Sequence, residues 1–133
     1  MELDFQRYSY PSRRTVSFAG NGMTATSGPL PAQVGLEVLR RGGNAIDAAV
    51  SMAAALTVTE PTSNGLGSDA FALLWTKGRL YGLNASGRAP LSLSAGLLRS
   101  RGHKTMPLRG WETVMTPGAP SAWAALSARF GSM

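Results

Sequence analysis

The sequence contains no cysteine and one histidine, His103. Without cysteine, neither a disulfide framework nor a thiolate metal site can form. The absence of cysteine does not distinguish an oxidising compartment from a reducing one. No pair of histidine or cysteine residues has metal-ligand spacing, so no metal site is expected. A Ser-His-Asp triad would have to use His103, but no Gly-x-Ser-x-Gly motif marks a nucleophile. His103 is therefore interpreted as a surface residue in a basic loop.

Targeting signals and membrane-spanning runs are also missing. The N-terminus reads Met-Glu-Leu-Asp-Phe and lacks the basic region and apolar run of a signal peptide. The main apolar stretch, residues 48–58, is shorter than the roughly 20 residues that span a bilayer. A cytoplasmic protein without a membrane partner is therefore the default expectation.

Acidic residues are scarce, because 7 Asp and Glu stand against 13 Lys and Arg, which gives a net charge of +6. A net positive charge of this size is typical of domains that bind nucleic acid or an anionic substrate. The densest basic group comprises Arg99, Arg101, His103, Lys104 and Arg109. No aromatic residue lies inside this group to stack on bases, and Trp111 is just beyond it. Nucleic-acid binding is therefore not expected, and a solvated surface or a face that pairs with an acidic partner is favoured.

The remaining composition, 44% apolar and 15% charged over 133 residues, is that of one globular domain. Its central helix is predicted to begin after Asn44, which is a good N-cap, with Asp47 placed to complete a capping box. Residues 48–58 are apolar or small on every face, so the helix is expected to be buried all round. Pro61 is expected to end it.

Two further regions have clear local signals. A helix is predicted at residues 29–41, with Ser27 as a candidate cap, a Glu37–Arg41 pair on its exposed side and Gly42 at its end. Apolar runs on both sides of the turn at residues 77–78 predict an antiparallel hairpin of strands 70–76 and 79–85. The first of these strands is expected to be buried on both faces.

Weaker patterns complete the chain. Residues 1–20 are interpreted as an extended arm, and residues 21–133 as one unit without repeats or an internal linker. Additional strands are predicted at 23–27 and 112–116, and additional helices at 91–100, capped by Ser92 or Ser94, and at 121–130. The Gly65-Leu-Gly67 loop is not a dinucleotide fingerprint, because a helix precedes it and a strand follows it. Spacing alone therefore indicates an α+β domain with no visible catalytic machinery.

Several blocks in order along the chain resemble the N-terminal region of the γ-glutamyltransferase (glutathione hydrolase) family. The most specific is Gly-Gly-Asn-Ala-Ile-Asp-Ala-Ala at residues 42–49. It is followed by Glu-Pro at 60–61, Gly-Leu-Gly-Ser-Asp-Ala-Phe at 65–71, Ala-Pro at 89–90 and Pro-Gly at 117–118. The resemblance extends over residues 20–125, and it identifies residues 21–133 as the N-terminal portion of such a domain.

The resemblance implies an N-terminal nucleophile hydrolase, whose precursor cleaves itself into a large and a small subunit. The new N-terminal threonine of the small subunit attacks a γ-glutamyl amide, and some relatives act as cephalosporin acylases. The implied fold is a sandwich of two sheets between helix layers, present only in part here: α+β, helix layers on an antiparallel sheet. No cofactor or metal is implied. The implied partners are a small-molecule γ-glutamyl or acyl amide, the remaining large-subunit sequence and the small subunit.

Two departures from the family pattern bear on function. The chain matches only the start of the large subunit, so no catalytic residue is assigned to it and alone it is expected to be inactive. The arginine that holds the substrate α-carboxylate in typical members is replaced by Ser86. Arg88 lies two residues later and is close enough to substitute, since a guanidinium fork suits a carboxylate. Ser86 and Arg88 are therefore the candidate substrate-binding residues.

Three hypotheses follow. The leading one is a portion of a γ-glutamyltransferase-like or acylase precursor. The second is a non-catalytic module that binds a polyanion through its basic loop. The third is a regulatory pseudo-enzyme domain that occupies the large-subunit position of a full-length relative.

Overall fold

A computed structural model describes residues 16–133, which form an α+β arrangement of four helices and one hairpin. The elements in chain order are α1 (Pro29–Arg40), α2 (Ala45–Thr59), β1 (Ala70–Thr76), β2 (Arg79–Ala85), α3 (Ala95–Ser100), a 3₁₀ turn (Trp111–Thr113) and α4 (Ala119–Phe130). Most of the expected N-terminal arm, residues 1–15, lies outside the described residues. Within 16–133, no helix combines the length and apolar character needed to cross a membrane.

The predicted capping box at the start of α2 is confirmed. The Asn44 side chain accepts hydrogen bonds from the backbone N–H groups of Ile46 and Asp47, and the Asp47 carboxylate accepts from Asn44 N at 2.8 Å. These bonds satisfy N–H groups that have no partner within the helix. The helix ends at Thr59, just before Glu60 and Pro61, as the proline predicts.

The same two side chains also hold the end of α4. Asn44 Nδ2 donates to the carbonyl oxygen of Phe130 at 2.6 Å, and Asp47 accepts from the backbone N–H and the hydroxyl of Ser132. The backbone N–H of Asn44 and the Ser132 hydroxyl keep the pKa of the Asp47 carboxyl below its ordinary value. The start of α2 and the end of α4 are thereby tied together.

The expectation that α2 is buried on every face is wrong for this chain. Ala48 is 2% exposed, whereas Val58 near the other end is 80% exposed. α1 packs along one side of α2 and α4 touches another, and no other described helix or strand covers the remaining surface. The apolar composition therefore reveals a surface that residues 16–133 leave uncovered.

The predicted hairpin is confirmed with the expected bounds. β1 and β2 pair antiparallel from Ala70 opposite Ala85 to Thr76 opposite Arg79. Positive φ angles at Lys77 (49°) and Gly78 (72°) make the two-residue turn that suits the twist of a hairpin.

Burial of β1 on both faces is wrong, because burial alternates along the strand. One face packs on α4, where Tyr81 meets the Phe130 ring at 5.0 Å between centroids and Arg129 lies over both rings. The other face carries apolar side chains that no described residue covers. This outer face consists of Phe71, Leu73, Trp75 and Leu80.

The two additional strands are also wrong. Residues 23–27 have no regular structure, and residues 112–116 form part of the 3₁₀ turn and an irregular segment. A strand needs a neighbour to satisfy its backbone groups, and within residues 16–133 the sheet has two strands. A short alternating pattern rich in threonine therefore does not form a strand here, because no neighbouring strand among residues 16–133 pairs with it.

The helix predictions hold with changes at the ends, the largest of them in α3, which begins at Ala95 rather than at residue 91. α1 is capped by Gly28 rather than Ser27, whose hydroxyl instead donates to the Glu60 carboxylate. The predicted Glu37–Arg41 pair forms at 2.7 Å. Of the two candidate caps for α3, Ser94 accepts from Leu97 N and begins the helix. α4 begins two residues earlier than expected, at Ala119.

Candidate functional site

A groove opens at the end of the hairpin, where three separate segments of the chain meet. The carbonyl oxygen of Ser68 accepts hydrogen bonds from the backbone N–H groups of Gly118 and Ala119, at 3.1 and 2.9 Å. The N–H of Thr116 donates to the carbonyl oxygen of Arg88 at 3.0 Å. These bonds join the loop before β1, the segment after β2 and the segment before α4.

Glycine is required where these segments cross. A Cβ on Gly118 would collide with the carbonyl oxygen of Ala85, and a Cβ on Gly87 would collide with that of Thr116. Gly87 also has a φ of 82°, which side-chain-bearing residues rarely adopt. The crossing therefore depends on two glycines, both within or beside the blocks that carry the family resemblance.

Two adjoining cavities form the groove. One, of about 640 Å³, is lined by residues that include Ser86, Arg88, Thr116 and Ser121. The other, of about 320 Å³, is lined by residues that include Asp69, Ser86 and Thr116. Because Ser86 and Thr116 line both cavities, the two spaces share one wall.

The structure places both sequence-predicted binding residues at this groove. Ser86 is exposed, and its backbone N–H donates to the Asn84 side-chain oxygen at 3.0 Å, which fixes the chain as it leaves β2. Arg88 is exposed and lines the larger cavity. The ion pairs among residues 16–133 are Glu37–Arg41 and Arg101–Glu112, so the Arg88 guanidinium has no carboxylate partner in this part of the chain.

Sequence reasoning missed one residue of the groove, Asp69. It is exposed, lines the smaller cavity and forms no ion pair with any residue of the described range. A signal for it was present, because the hairpin register pairs Ala70 with Ala85. Asp69 and Ser86 are the residues just beyond that terminal pair, and both line the smaller cavity.

The basic group of the sequence lies on a long excursion that starts and returns at the groove. Residues 89–115, here called the basic excursion, leave after Arg88 and come back before Thr116, where the two backbones bond. α3 lies on this excursion and packs against no other helix or strand of residues 16–133. Arg101 pairs with Glu112 at 2.9 Å. The backbone N–H of Glu112 and the Arg101 side chain lower the pKa of the Glu112 carboxyl.

His103 is half-buried on the basic excursion and lines neither cavity of the groove. Three threonines of the N-terminal half are engaged away from the groove. The hydroxyls of Thr24, Thr57 and Thr59 donate to backbone carbonyl oxygens in α1 and α2. Among the described residues, the groove therefore presents charged and hydroxyl side chains, without a nucleophile and base in hydrogen-bonding contact.

Comparison with known proteins agrees with the resemblance. The sequence model of the family described as gamma-glutamyltranspeptidase matches residues 31–133. The glutathione hydrolase proenzyme of Bacillus subtilis is 36% identical over 102 residues, which cover 74% of this chain and 17% of that protein. The oxamate amidohydrolase proenzyme of Klebsiella pneumoniae is 38% identical over 105 residues, covering 77% of this chain and 20% of that protein.

The crystal structure of a cephalosporin acylase from Bacillus halodurans superimposes with a TM-score of 0.86 and 57% identity. The superposition covers 100% of this chain and 25% of the acylase chain. This chain therefore spans about a quarter of the acylase structure, and about a fifth or less of the two other relatives. The expected fold class, a partial N-terminal nucleophile hydrolase arrangement of the α+β class, is confirmed. The chain belongs to the gamma-glutamyltranspeptidase family.

Proposed function

We propose that this chain supplies a substrate-binding wall of an enzyme that hydrolyses or transfers γ-glutamyl or related acyl groups of small-molecule amides. The observation that carries the proposal is the groove itself. Three blocks of the family pattern, separated by up to 50 residues of sequence, meet there through backbone hydrogen bonds. An arginine without a carboxylate partner among residues 16–133 lines the space that they enclose.

Arg88 is assigned the role of binding a substrate carboxylate. A guanidinium presents paired N–H donors that match the two oxygens of a carboxylate. The neighbouring Ser86 hydroxyl can donate to or accept from the same ligand. Glutathione and oxamate, the compounds named for two relatives, are both amides that carry a free carboxylate. A carboxylate-bearing amide is therefore the substrate class that suits the groove.

The nucleophile is assigned to sequence outside these 133 residues, as an N-terminal threonine exposed by self-cleavage. The two homologous proteins are both called proenzymes, which supports a processed precursor. In this arrangement residues 21–133 act as the N-terminal portion of the large subunit, and alone they bind substrate weakly and do not cleave it.

The partners proposed for this chain are the remaining large-subunit sequence and the small subunit. The exposed outer face supports this proposal, because Leu73 is 81% and Trp75 is 69% exposed there. A second sheet laid on this face would complete the sandwich that the family fold implies. Neither nucleic acid nor a membrane is part of the proposal, and a cytoplasmic location is proposed, to be checked by cell fractionation.

The proposal is tested in a chimera with the Bacillus halodurans acylase, which is 57% identical to this chain. The matching quarter of the acylase is replaced by this chain, and release of product from carboxylate-bearing amides is measured. Arg88→Ala is expected to lower kcat/KM about 10- to 100-fold, because hydrogen bonds to charged groups contribute about 1.5–3 kcal/mol.

The matched control is Arg109→Ala. Arg109 is also exposed, but it lies on the basic excursion and lines neither cavity. This variant should retain the kcat/KM of the unmodified chimera. Equal losses in the two variants, or no loss in Arg88→Ala, would show that the groove does not hold the substrate carboxylate.

A further inference from the structure

The basic excursion holds a defined shape without support from the other described elements. The Ser94 hydroxyl oxygen accepts a hydrogen bond from the backbone N–H of Leu97 at 3.1 Å and begins α3. Gly102, with a φ of 87°, ends α3, and the N–H of His103 donates to the carbonyl oxygen of Leu98 at 3.0 Å. Because α3 packs against no other described helix or strand, the excursion presents an ordered surface that these elements leave uncovered.

Large apolar side chains lie exposed near the end of α3. The ion pair between Arg101 and Glu112, at 2.9 Å, joins the end of α3 to the 3₁₀ turn. That turn begins at Trp111, which is 88% exposed, and Leu108 shortly before it is 97% exposed. An exposed tryptophan is a frequent anchor of protein–protein contacts, because binding removes its large apolar surface from water.

The uncommitted charge on this surface is positive. Glu112 is neutralised by its arginine partner, whereas Arg99 and Lys104 are exposed and form no ion pair with any residue of the described range. Carboxylates on a partner would be attracted to these two side chains, and cations would be repelled. The combined cationic and apolar surface is here called the docking patch, and it consists of Arg99, Lys104, Leu108 and Trp111.

A second copy of this chain does not supply the complementary charge. Most carboxylates of residues 16–133 are engaged by other groups of the chain, namely those of Glu37, Asp47, Glu60 and Glu112. The remaining carboxylate of that range is Asp69, at the groove. Residues 1–15 carry more basic than acidic side chains, and the net charge of the chain is +6. The docking patch therefore suits a partner that is more acidic than this chain.

We propose that the docking patch binds an acidic protein segment that also carries apolar side chains and lies outside these 133 residues. The carboxylates of the segment pair with Arg99 and Lys104, and its apolar groups cover Trp111 and Leu108. No residue of the docking patch lines either cavity of the groove. This binding is therefore separate from the proposed substrate site and does not depend on it.

The test titrates the full chain into two dye-labelled peptides of equal length and charge. One peptide repeats Glu-Glu-Leu, and in the other serine replaces each leucine. Binding is measured by fluorescence anisotropy. The leucine peptide should bind about five-fold more tightly than the serine peptide, as expected when an exposed tryptophan becomes a buried anchor. Trp111→Ala should abolish this difference and leave binding of the serine peptide unchanged.

Charge reversal tests the cationic part of the docking patch. Arg99→Glu combined with Lys104→Glu should weaken binding of both peptides by about five-fold or more, because repulsion replaces two exposed ion pairs. The matched control is Lys77→Glu with Arg79→Glu, which makes the same charge change at exposed positions beside the hairpin turn. This control should bind both peptides nearly as tightly as the unmodified chain.

Four results would overturn the proposal. Equal binding of the two peptides to the unmodified chain would remove the role of the apolar groups, and binding of neither peptide would remove the docking patch altogether. Equal losses in the two double variants would show that net charge alone attracts the peptides. Tighter binding of a single-stranded oligonucleotide or of phosphatidylserine vesicles than of the leucine peptide would replace the protein segment with nucleic acid or a lipid surface.

Discussion

Replacing Leu73 and Trp75 with lysine is expected to suppress self-association of the isolated chain. Both side chains belong to the outer face of the hairpin, whose four apolar side chains are between 62% and 81% exposed. Both strands also leave backbone edges open, since the sheet within residues 16–133 contains β1 and β2 alone. Exposed apolar faces next to open strand edges favour association between copies.

The magnitude follows from the exposed fractions. Full burial of one large apolar side chain contributes about 1.5–3 kcal/mol, so covering this face would contribute about 4–8 kcal/mol. That range corresponds to dissociation constants from about 1 mM to about 1 μM, before the entropic cost of association. Leu73 and Trp75 account for about half of it, and two added lysines bring charge repulsion. The variant should therefore remain monomeric where the unmodified chain does not.

Sedimentation velocity over a concentration series is the assay. The matched control is Leu91→Lys with Leu108→Lys, because these leucines are 106% and 97% exposed but lie on the basic excursion. The control adds the same charge and should still associate. If the unmodified chain is monomeric at every concentration, or if the two double variants suppress association equally, the outer face is not an interaction surface.

Two further predictions concern the close crossing beside the groove and the contact that ties the start of α2 to the end of α4. Gly118→Ala should destabilise the chain by about 1–3 kcal/mol in urea unfolding, because the added methyl group forces the crossing apart. Gly96→Ala on α3 should not destabilise the chain, because a Cβ there would make only an ordinary contact with the Ser94 hydroxyl oxygen at 3.8 Å. Equal effects of the two substitutions would show that the close crossing at Gly118 is not the cause. Because the folded pKa of Asp47 is lowered, its stabilising effect is complete above its unfolded value of 3.8 and is lost as pH falls through the folded pKa. The urea midpoint should therefore fall upon acidification below about pH 4, and Asp47→Asn should flatten that dependence; an unchanged slope in the variant would show that another group is responsible.

Elements with a complete local signal could be predicted from the sequence. The hairpin bounds are correct because apolar strands flank a turn with positive φ at Lys77 and Gly78. The start of α2 is correct because Asn44 and Asp47 form a capping box from within one turn of helix. In each case the residues that determine the structure are neighbours in sequence.

Features that depend on distant partners could not be predicted in this way. Residues 23–27 and 112–116 look like strands by composition, yet no described strand lies beside them. Burial of α2 and β1 was expected from their apolar residues, but burial depends on what covers a surface, and Val58 and Leu73 remain exposed. The apolar composition predicts that these surfaces are covered, but it does not show that residues 16–133 lack the covering layer.

The candidate site was predicted in part. Ser86 and Arg88 were chosen through the family resemblance, and both line the groove. Asp69 was missed because its relation to Ser86 comes from the pairing of two strands rather than from spacing along the chain. The role of Gly118 could likewise not be predicted, because its contact with Ser68 joins segments that are distant in sequence.

The measurement that tests the central claim most directly is amide cleavage by the isolated chain beside cleavage by the chimera. The account predicts that the chimera releases product, because this chain supplies a binding wall and the rest of the acylase supplies the nucleophile. The isolated chain should release none under the same conditions. Cleavage by the isolated chain at the chimera's rate would place the nucleophile within these 133 residues and contradict the account.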